Sequence, residues 1–132
     1  MERTLLIIKP DATARNLIGH VISRLEKARF TIVEIRMARL TKDQARKFYA
    51  VHEGKPFLHD LTVFMSSGPI VPMVLEKDNA IADLRRLIGA TDPAQADCGT
   101  LRWEIGRNKQ ENSVHASDSP ESAAVEIPFF FA

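Results

Sequence analysis

With 132 residues, 45% hydrophobic and 27% charged, the chain has the size and make-up of one globular domain rather than a disordered or membrane-spanning segment. A net charge of +1 argues against a general polyanion-binding surface, and the lone Cys98 excludes an intramolecular disulfide framework and suits a reducing compartment. No apolar run approaches the ~20 residues of a transmembrane helix, and Met1-Glu2-Arg3-Thr4 carries no signal-peptide pattern. A cytoplasmic protein with no membrane and no specific nucleic-acid partner is expected.

Leu5-Leu6-Ile7-Ile8 reads as a buried strand that meets a turn at Lys9-Pro10-Asp11. Ile18, Val21, Ile22 and Leu25 follow at helical spacing, and Phe30 to Leu40 alternates like a second strand. Thr41 and Gln44 have capping-box spacing, which predicts a helix through Phe48 and Tyr49 to about His52. Lys55-Pro56 breaks it. A short helix from Leu58 to Met65 should stop at Ser66-Ser67-Gly68-Pro69.

Ile70 to Leu75 reads as a third strand, in which Pro72 implies an edge position or an irregularity. Asn79 is expected to cap a helix carrying Ile81, Leu84, Leu87 and Ile88, closed by Gly89. Residues 90–112 form a long connection without an obvious core pattern, of the kind that is usually functional or mobile. A short strand around Val114 precedes a last helix with Ser119 as N-cap and Pro120 at its first position. This order over residues 1–132 predicts a single α+β domain, a ferredoxin-like four-stranded antiparallel sheet with helices packed on it.

The chemistry-bearing residues are few. His115 sits in Asn112-Ser113-Val114-His115-Ala116-Ser117-Asp118-Ser119, among small hydrogen-bonding side chains. Imidazole gains and loses groups near neutral pH, and Ser117 or Asp118 could orient it. Taken alone, the segment suits a satisfied histidine beside a turn better than a nucleophile. No Gly-rich phosphate loop occurs, so any phosphate would have to be held by cationic side chains. Lys9 ends the first strand. Arg85 flanks the apolar stripe of its helix and is the better candidate for a partly buried anion site, whereas Arg86 projects to solvent. Thr91 and Arg102 follow in the long connection, and Arg suits phosphate through its planar fork. His20, His52 and His59 read as surface residues, and no spacing suggests a protein-built metal site.

Several of these segments stand in the register of a known family. Lys9-Pro10-Asp11 after an apolar strand, Phe64-Met65-Ser66-Ser67-Gly68-Pro69, Gly89-Ala90-Thr91-Asp92-Pro93, Gly99-Thr100-Leu101-Arg102 and Asn112-x-x-His115-Ala116-Ser117-Asp118-Ser119 closely resemble nucleoside diphosphate kinase. The resemblance implies a ping-pong transfer of the γ-phosphate of a nucleoside triphosphate, typically ATP, to a nucleoside diphosphate. It implies His115 as the phosphoryl carrier, with Glu126 holding the other ring nitrogen. Lys9, Arg85, Thr91 and Arg102 would bind phosphate oxygens, with Tyr49 at the phosphate end and Asn112 on the sugar hydroxyls. Phe57 would stack on the base, a contact that reads the π-face and tolerates every base. Mg²⁺ would be held mainly by the nucleotide phosphates. A homo-oligomer built from dimers, a tetramer or hexamer, is also implied.

Four departures from the family pattern stand out. Gly106-Arg107-Asn108 comes four residues ahead of the Asn112 position, which leaves Asn108 as a second candidate for the ribose contact. Ala116 stands where glycine is more frequent. Pro128 falls inside the last helical pattern and should end or kink it, which bears on Glu126. The sequence stops at Phe131-Ala132, without the tail that many members use in subunit contacts. Other readings fit less well: a member acting mainly as a nucleotide-binding or regulatory partner with weak catalysis, an RNA-binding module lacking the sheet-face aromatics that it needs, or a phosphorelay domain whose histidine belongs on a helical bundle.

Overall fold

The computed structural model describes residues 1–131. The first strand, β1, covers Glu2–Ile8, and the fully apolar run at its end has a simple cause. Successive side chains of a strand point to opposite faces, and both faces are covered here. Leu6 and Ile8 enter one core with Val21, Leu25, Leu84 and Leu101, whereas Leu5 and Ile7 enter another with Ala45, Tyr49, Leu58, Met65 and Phe130.

Pro10 occupies the first position of a short helix, α1 (Pro10–Ala14), where its missing N–H costs nothing; the expected turn is therefore a helix start. Helix α2 spans Ile18–Lys27. Strand β2 is Thr31–Ile35, shorter than the alternation suggested, because the register slips between Ile32 and Glu34 and only Ala38 returns, as a single bridge to Ile70. The capping box forms: Thr41 Oγ1 accepts from Gln44 N–H, and Gln44 Oε1 accepts from Thr41 N–H. Helix α3 (Lys42–Phe48) then ends at Tyr49, and the rest of the expected helix is a 3₁₀ turn over Ala50–His52. Helix α4 is Leu58–Met65.

Strand β3 (Val71–Lys77) decides between the two readings of Pro72 in favour of an irregularity. The sheet order is β2-β3-β1-β4, with β4 covering Val114–Ala116, so β3 is central and the edges are β2 and β4. All the pairings are antiparallel. A residue in such a pair turns its N and C=O to the same neighbour. Pro72 C=O accepts from Arg36 N–H at 3.2 Å, beyond the end of β2, so the missing donor falls where the ladder is already irregular. The result is the expected α+β architecture.

Helix α5 is Ala80–Ile88. Asn79 does not cap it through its side chain; it sits in the left-handed region (φ 56°), and the Glu2 carboxylate accepts from Ile81 N–H instead. The connection 90–112 contains more structure than expected: a 3₁₀ turn at Pro93–Gln95 and helix α6 (Leu101–Ile105), capped by Thr100. Its core contacts come down to Leu101 and Ile105, too few to show a period. Helix α7 (Pro120–Phe130) is capped by Ser119 and passes through Pro128 instead of ending there. The proline lies in the last turn, and the carbonyl four residues back belongs to exposed Ala124, which is free to bond water.

Candidate active site

The sheet register assembles the site. His115 pairs with Ile7 across β4 and β1, so its ring projects to the face covered by α3 and α7. There it meets the edges of Phe48 (5.4 Å between centroids) and Tyr49 (5.9 Å). Glu126 reaches it from α7: Oε1 lies 2.9 Å from His115 Nε2 and accepts from Ser117 Oγ at 2.8 Å. Ser117 thus acts on the histidine through Glu126, and Asp118 accepts from Ser122 Oγ and does not touch the ring. Nδ1 has no protein partner among the described residues. Ala116 has no positive φ, so the glycine usual at this position is not needed for conformation.

The ring opens into a cleft of about 880 Å³. Lys9, Tyr49, Phe57, Arg85, Thr91, Arg102, Asn112 and Glu126 all line it together with His115. At its floor Lys9 Nζ donates to Asn112 Oδ1 and to Gln110 C=O, each at 2.9 Å. Asn112 Nδ2 in turn donates to Thr91 C=O at 2.9 Å, which closes the connection 90–112 over the strand ends. Asn108 stays outside: its Oδ1 accepts from the N–H groups of Gln110 and Glu111 and so shapes a loop turn.

Arg102 lies on α6, not in a loop, and is 4% exposed. Nη1 donates to Gly89 C=O at 3.0 Å and Nη2 to Val114 C=O at 2.8 Å, while buried Nε has no protein partner among the described residues. Arg85 differs from expectation. The residue is exposed, and it flanks the cleft with Nη1 3.3 Å from Ala116 C=O. Its helix-face position was right, but α5 ends at the rim and leaves its guanidinium open to solvent. Arg86 is exposed and pairs with Asp83.

Electrostatically the cleft is built for an anion. Burial drives the Lys9 ammonium down to about 8, with Asp11 opposing the shift and Arg102 adding to it. Burial and the nearby Arg85 bring Arg102 down to about 10, which leaves it charged at neutral pH. Burial and Glu126 push the Tyr49 phenol up, so it remains a neutral donor. A phosphate entering here would relieve the repulsion among the cations.

Several residues were not expected at the site, among them Phe48, Gln110 and His52. His52 lines the cleft, nearly parallel to Tyr49 (6.1 Å between centroids) and edge-on to Phe57 (5.1 Å). Its position three residues after Tyr49 on a helical path was the only signal in the sequence. His20 is partnered as well, with Nε2 2.6 Å from Glu104 Oε1. Among the described residues no three His, Cys, Asp or Glu side chains converge as a metal site. Among the described residues no helix is long and apolar enough to cross a membrane.

Comparison with known proteins places this geometry. A family model described as nucleoside diphosphate kinase matches residues 2–132. A protein of Chlorobium limicola named nucleoside diphosphate kinase is 58% identical over 132 residues, which cover 100% of this chain and 94% of that one. The solved nucleoside diphosphate kinase of Aquifex aeolicus superposes with a TM-score of 0.97 at 44% identity, covering 99% of this chain and 95% of that one. A halophilic nucleoside diphosphate kinase from Halobacterium salinarum, solved in complex with CDP, gives a TM-score of 0.95 at 39% identity over 98% and 87% of the two chains. With the match running over nearly its whole length, this chain belongs to the nucleoside diphosphate kinase family.

Proposed function

We propose that this single domain moves the γ-phosphate of a nucleoside triphosphate, typically ATP, to a nucleoside diphosphate in two half-reactions, with His115 Nδ1 as the carrier. One observation carries the assignment: Nε2 is held by Glu126 while Nδ1 has no partner among the described residues and faces a cleft that holds Lys9, Arg85 and Arg102. A carboxylate at Nε2 favours the tautomer with its proton there and leaves the Nδ1 lone pair to attack. The Nδ1–P bond forms as the bond from the γ-phosphorus to the β-phosphate oxygen breaks, and the diphosphate leaves with the electron pair. A β-phosphate oxygen of the second diphosphate then attacks, and the P–N bond breaks back onto Nδ1.

Phosphoryl transfer depends on positioning and charge neutralisation more than on covalent help. Lys9, Arg85 and Arg102 supply the charge, and the Thr91 hydroxyl and the Tyr49 phenol supply neutral donors. Arg102 Nε, buried and without a protein partner, is the donor that a phosphate oxygen would satisfy. Asn112 already bonds Lys9 and Thr91, and its remaining lone pair and N–H are left for the sugar. Phe57, 46% exposed, offers a ring face to the base.

The family works with a divalent cation, and Mg²⁺ is the ion we assign. Asp118 and Glu121 line the cleft and provide carboxylates suited to the waters of an ion carried in on the phosphates. Such an ion neutralises charge on the transferring group. Exposed Ile35 and Met37 beside the β2 edge support a homo-oligomer built from dimers, a tetramer or hexamer. The lone Cys98 supports a cytoplasmic location.

The reading is tested by a chase. Protein incubated with γ-labelled ATP should take up an acid-labile, alkali-stable label, which leaves as a triphosphate when an unlabelled diphosphate is added. Transfer with no labelled protein at any time would overturn it.

A further inference from the structure

Asp11 takes no part in the chemistry above, yet it is 7% exposed and sits in the first turn of α1, two residues after Lys9. Its Oδ2 accepts from Ser113 N–H at 3.1 Å. Ser113 is held on every side. Its C=O accepts from Lys9 N–H at 2.9 Å, and its Oγ donates to Ile105 C=O and accepts from Arg15 Nη2. This clamp holds a non-glycine residue at φ 76°, a conformation that costs energy and persists only where its surroundings impose it. On either side of that kink lie Asn112, which bonds Lys9, and Val114, which bonds Arg102.

We infer that Asp11 is a positioning residue for phosphoryl transfer: its carboxylate fixes Ser113, and through it Asn112, and sets an opposite charge two residues along the chain from Lys9. The inference rests on the assignment of Lys9 to phosphate made above. The charged groups acting on Lys9 are Asp11 from α1 and Arg102 from α6. Arg15, 3.7 Å from Asp11 Oδ2, offsets part of the carboxylate's charge. The other ionisable groups of the cleft are Lys47, Tyr49, His52, Arg85, Lys109, His115, Asp118, Glu121 and Glu126. The second carboxylate oxygen, Oδ1, is buried without a hydrogen-bond donor among the described residues, and burial pushes the Asp11 carboxyl up while Lys9, Arg15 and the Ser113 N–H oppose that shift. Burial brings Lys9 down to about 8, and the Asp11 charge opposes that shift.

Asp11→Asn separates the two effects, since the amide oxygen still accepts from Ser113 N–H while the charge is gone. Asp11→Ser is a second neutral variant with a smaller side chain. Two measurements are made on the full chain: the NMR titration of Lys9 Cε, and kcat/KM for ATP with GDP from pH 6 to 10. In both variants the Lys9 midpoint and the alkaline limb of kcat/KM should fall together by about one pH unit, as expected for a lost opposite charge nearby. A merely structural role would lower the rate at every pH and leave the limb in place. A Lys9 midpoint equal to wild type in both variants overturns the inference. A midpoint that moves while the limb stays also overturns it, and then locates the fault in the assignment of Lys9 to phosphate.

Discussion

A single oxygen of Glu126 lies 2.9 Å from His115 Nε2 and accepts the Ser117 hydroxyl at 2.8 Å. In the proposed mechanism one carboxylate sets both the protonated nitrogen and the plane of the ring. It would also face the imidazolium-like charge that develops as Nδ1 takes the phosphoryl group.

Replacing Glu126 by Ala should slow His115 phosphorylation by roughly 10–100-fold, the rate equivalent of one hydrogen bond to a charged group. Single-turnover mixing with ATP reads that rate directly. Nucleotide affinity, measured separately, should change little, because Glu126 faces the ring and not the phosphates. Undiminished phosphorylation would remove Glu126 from the mechanism.

Arg102 has two duties, and its loss should show both. Arg102→Ala removes a charged donor from the phosphate site, which should cost roughly 10²–10³ in transfer rate. It also leaves the Gly89 and Val114 carbonyls without their donors, a loss of about 1–3 kcal/mol in unfolding free energy. Arg102→Lys should recover neither fully, since one ammonium cannot span both carbonyls and a phosphate. Labelling of His115 should still be detectable in Arg102→Ala. Wild-type kinetics in that variant would place Arg102 outside the site.

Lys9 should write a signature into stability. The folded protein releases its proton at about 8, whereas the unfolded chain holds it to 10.5. Between those values the unfolded state binds more protons, so this group's contribution to stability rises with pH. Lys9→Met lacks the titration. Relative to that variant, the wild type should gain about 3 kcal/mol in unfolding free energy between pH 7 and 10.5. Urea titrations at several pH values measure the difference, and a flat difference would mean that Lys9 is not depressed by burial.

Gly89 closes α5 at φ 86°, and a Cβ there would lie 2.5 Å from Thr100 Oγ1. Gly89→Ala combines left-handed strain with a clash, for a cost of about 2–4 kcal/mol. Because Gly89 C=O anchors Arg102 and Thr100 caps α6, transfer should slow as well. A variant as stable and as active as wild type would contradict the packing described.

The local devices were legible in the sequence. The Thr41–Gln44 box and the Ser119-Pro120 start of α7 depend on neighbours in the chain, and they form as their spacing suggests. Features set by distant partners were not. Pro72 suited either an edge position or an irregularity, and only the strand order, a property of the whole sheet, rules out the edge. Asn79 looked like a cap, but Glu2 reaches the helix from the far end of the chain. Helix α6 has one full turn and two core residues, so it shows no period. The assembly of Lys9 with Asn112 and His115 was visible only as a family register. Physically it follows from the β1–β4 pairing and the Lys9–Ser113 bond between residues about a hundred positions apart.

The central claim is that Nδ1 of His115 carries the phosphoryl group. Phosphorus–nitrogen coupling in the ¹⁵N-histidine-labelled phosphoenzyme, formed with ATP and freed of nucleotide, tests it most directly. The account predicts one phosphohistidine, bonded through Nδ1, absent from His115→Ala and discharged by a nucleoside diphosphate. Phosphate bonded through Nε2, or a His115→Ala protein that transfers phosphate at the wild-type rate, would contradict it.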